Sequence, residues 1–156
     1  MTRDTASSSG QSGQPRRRST VMNLEGHDSP VTPGVLDIII IVDDSEDNAE
    51  MLSELLIERG HRVRIAPNGA SALELLGKDV ADVVLLDVGL PDMDGYEVAE
   101  FIRGRFRDRV RIIALTGFSG TRAREQARRS GFDAYLVKPF HIEDVETVLV
   151  GGRRDA

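Results

Sequence analysis

The sequence contains no cysteine and no tryptophan, and aromatic residues make up only 4% of it. Without cysteine, disulfides, thiolate metal sites and cysteine nucleophiles are excluded. With so few rings, aliphatic side chains must build the core. No uninterrupted apolar run reaches the roughly 18 residues of a membrane-spanning helix, and the start lacks the apolar stretch of a secretory signal. The expectation is a cytoplasmic protein with no membrane insertion. Positive charge is also short, the net charge being −6. Residues 1–36 carry four arginines against three acids, a balance of +1, so the remainder carries −7. An acidic body of this kind argues against direct nucleic-acid binding.

What is present is one domain's worth of chain, 156 residues of which 40% are hydrophobic. Ser, Gly and Pro supply thirteen of the first 36 residues and no periodicity is sustained there, which predicts a disordered leader over 1–36. The folded domain is expected over 37–150, starting near Val35, with 151–156 as a flexible tail. Strands are predicted at 37–42, 62–65, 82–86, 111–115 and 133–137. They alternate with helices at 46–59, 69–76, 95–103, 121–130 and 142–150. The β-branched runs Ile38 to Val42 and Val83 to Leu86 are apolar on both alternating faces, as in strands covered by helices on both sides. Five βα units joined by right-handed crossovers give a doubly wound α/β fold. Ser45 and Asp94 stand where helix N-caps belong, Gly60 and Gly131 where helices end. The fourth helix offers only Ala123 and Ala127 to the core beside Arg122, Arg124, Arg128 and Arg129, and is expected to be weakly held.

Four strand-like runs end on residues suited to phosphoryl chemistry. Asp43 and Asp44 follow DIIIIV, Asp87 follows VVLL, Thr116 follows RIIAL and Lys138 follows AYLV. Ligands of open α/β sheets bind at the carboxyl ends of the strands, so these residues are expected to share one crevice. Three carboxylates, a hydroxyl and an ammonium are what a metal-assisted phosphoryl site requires.

In their order, Asp43-Asp44, Asp87 within LLDVGLPDMDG, Thr116 in ALTG, Tyr135 and Lys138-Pro139 resemble the receiver domain of two-component response regulators, chemotaxis-regulator-like in type. The resemblance covers about residues 37–150. It implies a (βα)5 flavodoxin-like fold with a parallel five-stranded sheet of order 2-1-3-4-5. It implies that Asp87 accepts a phosphoryl group as an aspartyl phosphate, with catalytic help from Lys138 and Thr116. Mg²⁺ would be the cofactor, with Asp43, Asp44, Asp87 and the main-chain carbonyl of Gly89 as its site, Asp43 acting through water. Thr116 and Tyr135 would form the switch pair, the tyrosine rotating inward after phosphorylation, and Pro139 would follow a cis bond.

The implied function is a single-domain response regulator and phosphoprotein, not an enzyme beyond its own phosphorylation and dephosphorylation. Its partners would be a histidine kinase or histidine phosphotransfer protein and a downstream protein target, met on the face of the fourth helix, fifth strand and fifth helix. Alternatives are a detached hybrid-kinase receiver in a phosphorelay, a pseudo-receiver that works without phosphorylation, and a haloacid-dehalogenase-like phosphohydrolase. The last needs a second Asp two residues after the nucleophile, where Asp87 has Gly89 and Asp43 has Ser45. Phe118 is expected to shield the phosphoryl group and slow its loss, opposing the bare Gly89. His27, His61 and His141 lack ligand spacing, and Arg16 to Arg18 beside Ser19 and Thr20 read as a solvated tail.

Overall fold

A computed structural model describes residues 21–23, 38–78 and 81–150. Its strands are β1 (Val21–Asn23), β2 (Ile38–Val42), β3 (Arg62–Ala66), β4 (Val83–Asp87), β5 (Arg111–Thr116) and β6 (Ala134–Val137). Its helices are α1 (Glu46–Glu58), α2 (Gly69–Lys78), α3 (Gly95–Phe106), α4 (Thr121–Ser130) and α5 (Ile142–Val150), with a short 3₁₀ turn at Arg107–Arg109. The sheet order is β1-β6-β5-β4-β2-β3. Strands β2 to β6 run parallel and, counted among themselves, take the expected 2-1-3-4-5 order.

Period-two alternation along each strand splits the core into two layers. Ile40, Val42, Val84, Leu86 and Ile112 pack with Leu76, Val98, Ile102 and Phe132, so this layer lies under α2 and α3 and reaches Ala127 of α4. Ile39, Ile41, Leu85, Ile113 and Leu115 pack with Leu56, Val145 and Leu149 of α1 and α5. Every residue of β4 and β5 is buried, as expected for central strands between helical layers.

Helix ends follow from local chemistry. The Ser45 hydroxyl accepts from Asn48 N–H (3.4 Å), and the Asp94 carboxylate accepts from Tyr96 N–H (2.9 Å). Gly60 and Gly131 have φ of 96° and 100°, the left-handed conformation that closes helices with little cost for glycine. Helix α4 buries only Ala127 and Ser130, in keeping with its small inward face.

Two expectations need correction. Residues 21–23, assigned to the disordered leader, form β1, which pairs antiparallel with β6. Three residues are too few to display a period, and this strand exists because an open sheet edge receives it. The other leader calls, including Arg16 to Arg18, Ser19, Thr20 and His27, lie outside the described residues, as does the tail 151–156. Helix α3 also runs three residues past its predicted end at Arg103, through Gly104 to Phe106. Arg103 explains the extension, because its guanidinium donates to the carbonyls of Arg107, Val110 (2.8 Å) and Gly131 (2.7 Å) and to Asp133 Oδ2 (2.8 Å). The same Asp133 oxygen accepts from Ile112 N–H (2.9 Å). One arginine thus ties α3, the turn after it, β5 and the α4–β6 connection together.

Candidate functional site

The parallel strands end at one rim, and their register sets who meets there. Asp87 is opposite Leu115, the residue before Thr116, while Thr116 is opposite Val137, the residue before Lys138. Asp43 and Asp44 follow directly after Val42 of β2. Carboxylate oxygens of Asp43, Asp44 and Asp87 all lie within 4.8 Å of one another, with Asp43 and Asp87 buried and Asp44 exposed. Lys138 Nζ stands 3.3 Å from Asp87 Oδ2.

Backbone groups fix these side chains. Ser45 N–H donates to Asp43 Oδ1 (2.9 Å), and Gly89 N–H donates to Asp87 Oδ1 (2.9 Å). Lys138 N–H donates to the Thr116 carbonyl (2.7 Å), which sets where the lysine leaves the sheet. The Lys138–Pro139 peptide bond is cis. Burial raises the Asp43 carboxyl above its ordinary value, against the Ser45 hydrogen bond that lowers it, and the charges of Asp87 and Asp44 push the same way as burial. Gathering three acids at one partly buried rim costs energy that a cation would relieve. Hard oxygen donors in a close group of three fit a divalent cation such as Mg²⁺.

Thr116 is buried and its Oγ1 accepts from Phe118 N–H (3.0 Å). Tyr135 is only 3% exposed. Its register partner on β5 is Ala114, whose single methyl leaves room for the ring. Burial first, and then Asp94 and Tyr135, raise the phenol of Tyr96. The Phe118 ring is 73% exposed in the unphosphorylated chain. Gly89 has open space around it, a side chain there meeting only Asp87 Oδ1 at 3.8 Å.

Sequence reasoning gave no role to three further features near the site. Asp92 accepts from Gly69 N–H (2.9 Å) and Ala70 N–H (3.1 Å), so its carboxylate caps α2 and anchors the loop that follows Asp87. Those donors lower its pKa. Gly95 lets α3 start against the backbone of that loop, since a Cβ there would fall 2.5 Å from Val88 Cα. A groove of about 380 Å³ runs beside Asp43 and Lys138, with Met51, Leu52, Leu55, Phe140 and Ile142 among its walls. The helical spacing of Met51 and Leu55 was the available signal for it.

The model of the family described as the response regulator receiver domain matches residues 39–150. The chain belongs to that family. This receiver is 36% identical over 107 residues to the response regulator MprA of Mycobacterium tuberculosis, covering 69% of this chain and 46% of MprA. It is 30% identical over 138 residues to hybrid signal transduction histidine kinase A of Dictyostelium discoideum, covering 84% of this chain and 6% of the kinase. The chain therefore spans less than half the length of either. Among solved structures, the chemotaxis protein CheY4 of Vibrio cholerae superposes with a TM-score of 0.70 at 29% identity, over 74% of this chain and 97% of CheY4. Receiver domains are signalling modules and bind Mg²⁺ at an acidic pocket. Among the described residues of this receiver, no helix is long and apolar enough to cross a membrane.

Proposed function

We propose that this receiver accepts a phosphoryl group from a phosphohistidine onto Asp87, acts as a response regulator in the cytoplasm, and signals by protein contact or onward transfer. The observation that carries the reading is the convergence of Asp43, Asp44 and Asp87 within 4.8 Å, with Lys138 3.3 Å from Asp87. An Asp87 carboxylate oxygen attacks phosphorus, the P–N bond breaks, and its electron pair leaves with the imidazole. Lys138 moves its ammonium from the Asp87 carboxylate to the phosphoryl oxygens as charge builds there. Gly89 N–H holds the other Asp87 oxygen, and so orients the attacking one. Mg²⁺, held by Asp44, Asp87 and the Gly89 carbonyl with Asp43 through water, would offset the repulsion between these acids and the incoming phosphoryl group.

Thr116 then turns its hydroxyl from Phe118 N–H toward the phosphoryl group and draws the 117–120 loop inward, a change that the buried Tyr135 accommodates. The α1 groove, with Met51 58% exposed at its wall, suits a helical partner that presents its histidine to Asp87. A histidine kinase or phosphotransfer protein is such a partner. The signal leaves through the α4, β6 and α5 face.

Intact mass after incubation with acetyl phosphate and Mg²⁺ tests the chemistry. One phosphoryl group added to the wild type, none to Asp87→Asn, and none with EDTA is the expected result. An adduct that persists in Asp87→Asn would overturn it. The match to a hybrid kinase over 84% of the chain favours a second reading, a phosphorelay receiver. Return of the phosphoryl group to a histidine phosphotransfer domain distinguishes it from a terminal regulator.

A further inference from the structure

The five parallel strands leave two outer edges, β3 and β6, and the chain treats them differently. Along β3, Arg62 and Arg64 are exposed and carry charge that discourages a foreign strand. Strand β6 reads AYLV, without a charge, and Ala134, Tyr135 and Leu136 are all at most 3% exposed. An uncharged apolar edge of this kind invites strand addition. Here the added strand comes from the chain itself. Val21, Met22 and Asn23 stand opposite Leu136, Tyr135 and Ala134, and β1 also lies against α5.

Covalent reach allows this. The fourteen residues 24–37 join β1 to β2, and at about 3.3 Å each they extend to about 46 Å. Four strand spacings of about 4.8 Å, roughly 19 Å in all, separate the two strands. The ladder is also easily undone. Three residues offer few main-chain hydrogen bonds, whose net gain is close to the entropy lost in ordering them.

We propose that residues 21–23 are a displaceable internal strand that closes the β6 edge, so that a protein partner docking by adding an extended segment to β6 must first remove it. Met22 is the register partner of Tyr135, which puts the strand's occupancy and the Thr116–Tyr135 pair on one residue. The signalling consequence rests on the function proposed above. The strand's occupancy of the edge does not.

Hydrogen exchange on the full chain tests it. An antiparallel ladder bonds alternate residue pairs, so Met22→Pro and the double variant Val21→Pro/Asn23→Pro remove between them every donor β1 can offer. The expected result is exchange about twofold faster across residues 134–137 in at least one variant, with β4 and α1 exchanging as in the wild type. Unchanged exchange at 134–137 in both variants overturns the proposal. A rise shared equally by β4 also overturns it, because the strand would then support the whole fold. Protection independent of protein concentration assigns the strand to its own chain, and protection lost on dilution assigns it to a second copy and overturns the internal assignment. A chain that shows the expected pattern but takes up no phosphoryl group keeps the strand and loses the receiver chemistry.

Discussion

Asp43 illustrates how one residue is held against its own preference. Its carboxyl is buried beside two other acids, and its pKa is raised mainly by that burial. A raised carboxyl pKa means that the folded state favours the protonated form. The stability tied to that proton is complete below the ordinary carboxylate pKa near 4 and is lost as pH rises through the raised value. At neutral pH the ionised Asp43 therefore weakens the fold. Asp43→Asn is expected to raise the melting temperature by a few degrees at pH 7 without Mg²⁺, and the gain should vanish toward pH 3. Thermal melts of both proteins across that range check this, and a variant less stable than wild type at pH 7 contradicts it. The acids, Thr116 and Lys138 were legible in the sequence because each follows an apolar strand, and strand ends of a parallel sheet converge. Asp92 and Gly95 were not. Their partners are backbone atoms of loops and helix starts, which no side-chain pattern announces.

Elements are held in place by a few close approaches, and the glycines of α3 separate these from ordinary helix positions. A Cβ at Gly95 would sit 2.5 Å from Val88 Cα and 2.9 Å from the Asp87 carbonyl, both backbone atoms that cannot give way cheaply. Gly95→Ala is expected to cost about 2 kcal/mol or more and to slow phosphoryl uptake by shifting the Asp87 loop. At Gly104, in the same helix, a Cβ meets nothing within 4 Å. Gly104→Ala should stabilise by about 0.5–1 kcal/mol through lower unfolded-state entropy. Urea midpoints for the two variants should move in opposite directions, and a shared sign would contradict the packing argument. The far end of α3 depends on Arg103, whose partner Asp133 is 3% exposed. Removing the arginine takes the guanidinium away from that buried carboxylate, so Arg103→Ala should cost about 3 kcal/mol. A double-mutant cycle with Asp133→Ala should return a coupling of about 1–3 kcal/mol, and additivity would dismiss the pair as a staple. Sequence reading stopped α3 at Arg103, and the residue that follows, Gly104, is a weak helix former. A side chain that binds the carbonyls of the next turn overrides that local preference.

At the scale of the whole molecule the alternation of strands and helices was legible because burial on both faces demands uninterrupted aliphatic runs, and short connections demand helical crossovers, whereas the 2-1-3-4-5 order came from the family resemblance alone. Strand β1 was not legible, since its existence depends on an edge formed by residues more than a hundred positions away. The same sheet that builds a two-layer core also delivers three carboxylates to one rim, so folding the chain concentrates negative charge at that end. The unfolded chain spreads those acids through water and has no comparable site. A divalent cation that binds the folded rim alone must then stabilise the entire domain, by about 1.4 kcal/mol at a free concentration ten times its Kd. Titrating Mg²⁺ should raise the unfolding midpoint of the wild type, while an equal ionic strength of NaCl should reproduce only the part due to screening. In Asp43→Asn/Asp44→Asn the Mg²⁺ increment should disappear while the baseline stability rises, because the repulsion has been removed along with the ligands. If that variant kept the increment, the cation would be held elsewhere, and the acidic rim would lose its claim to be the metal site.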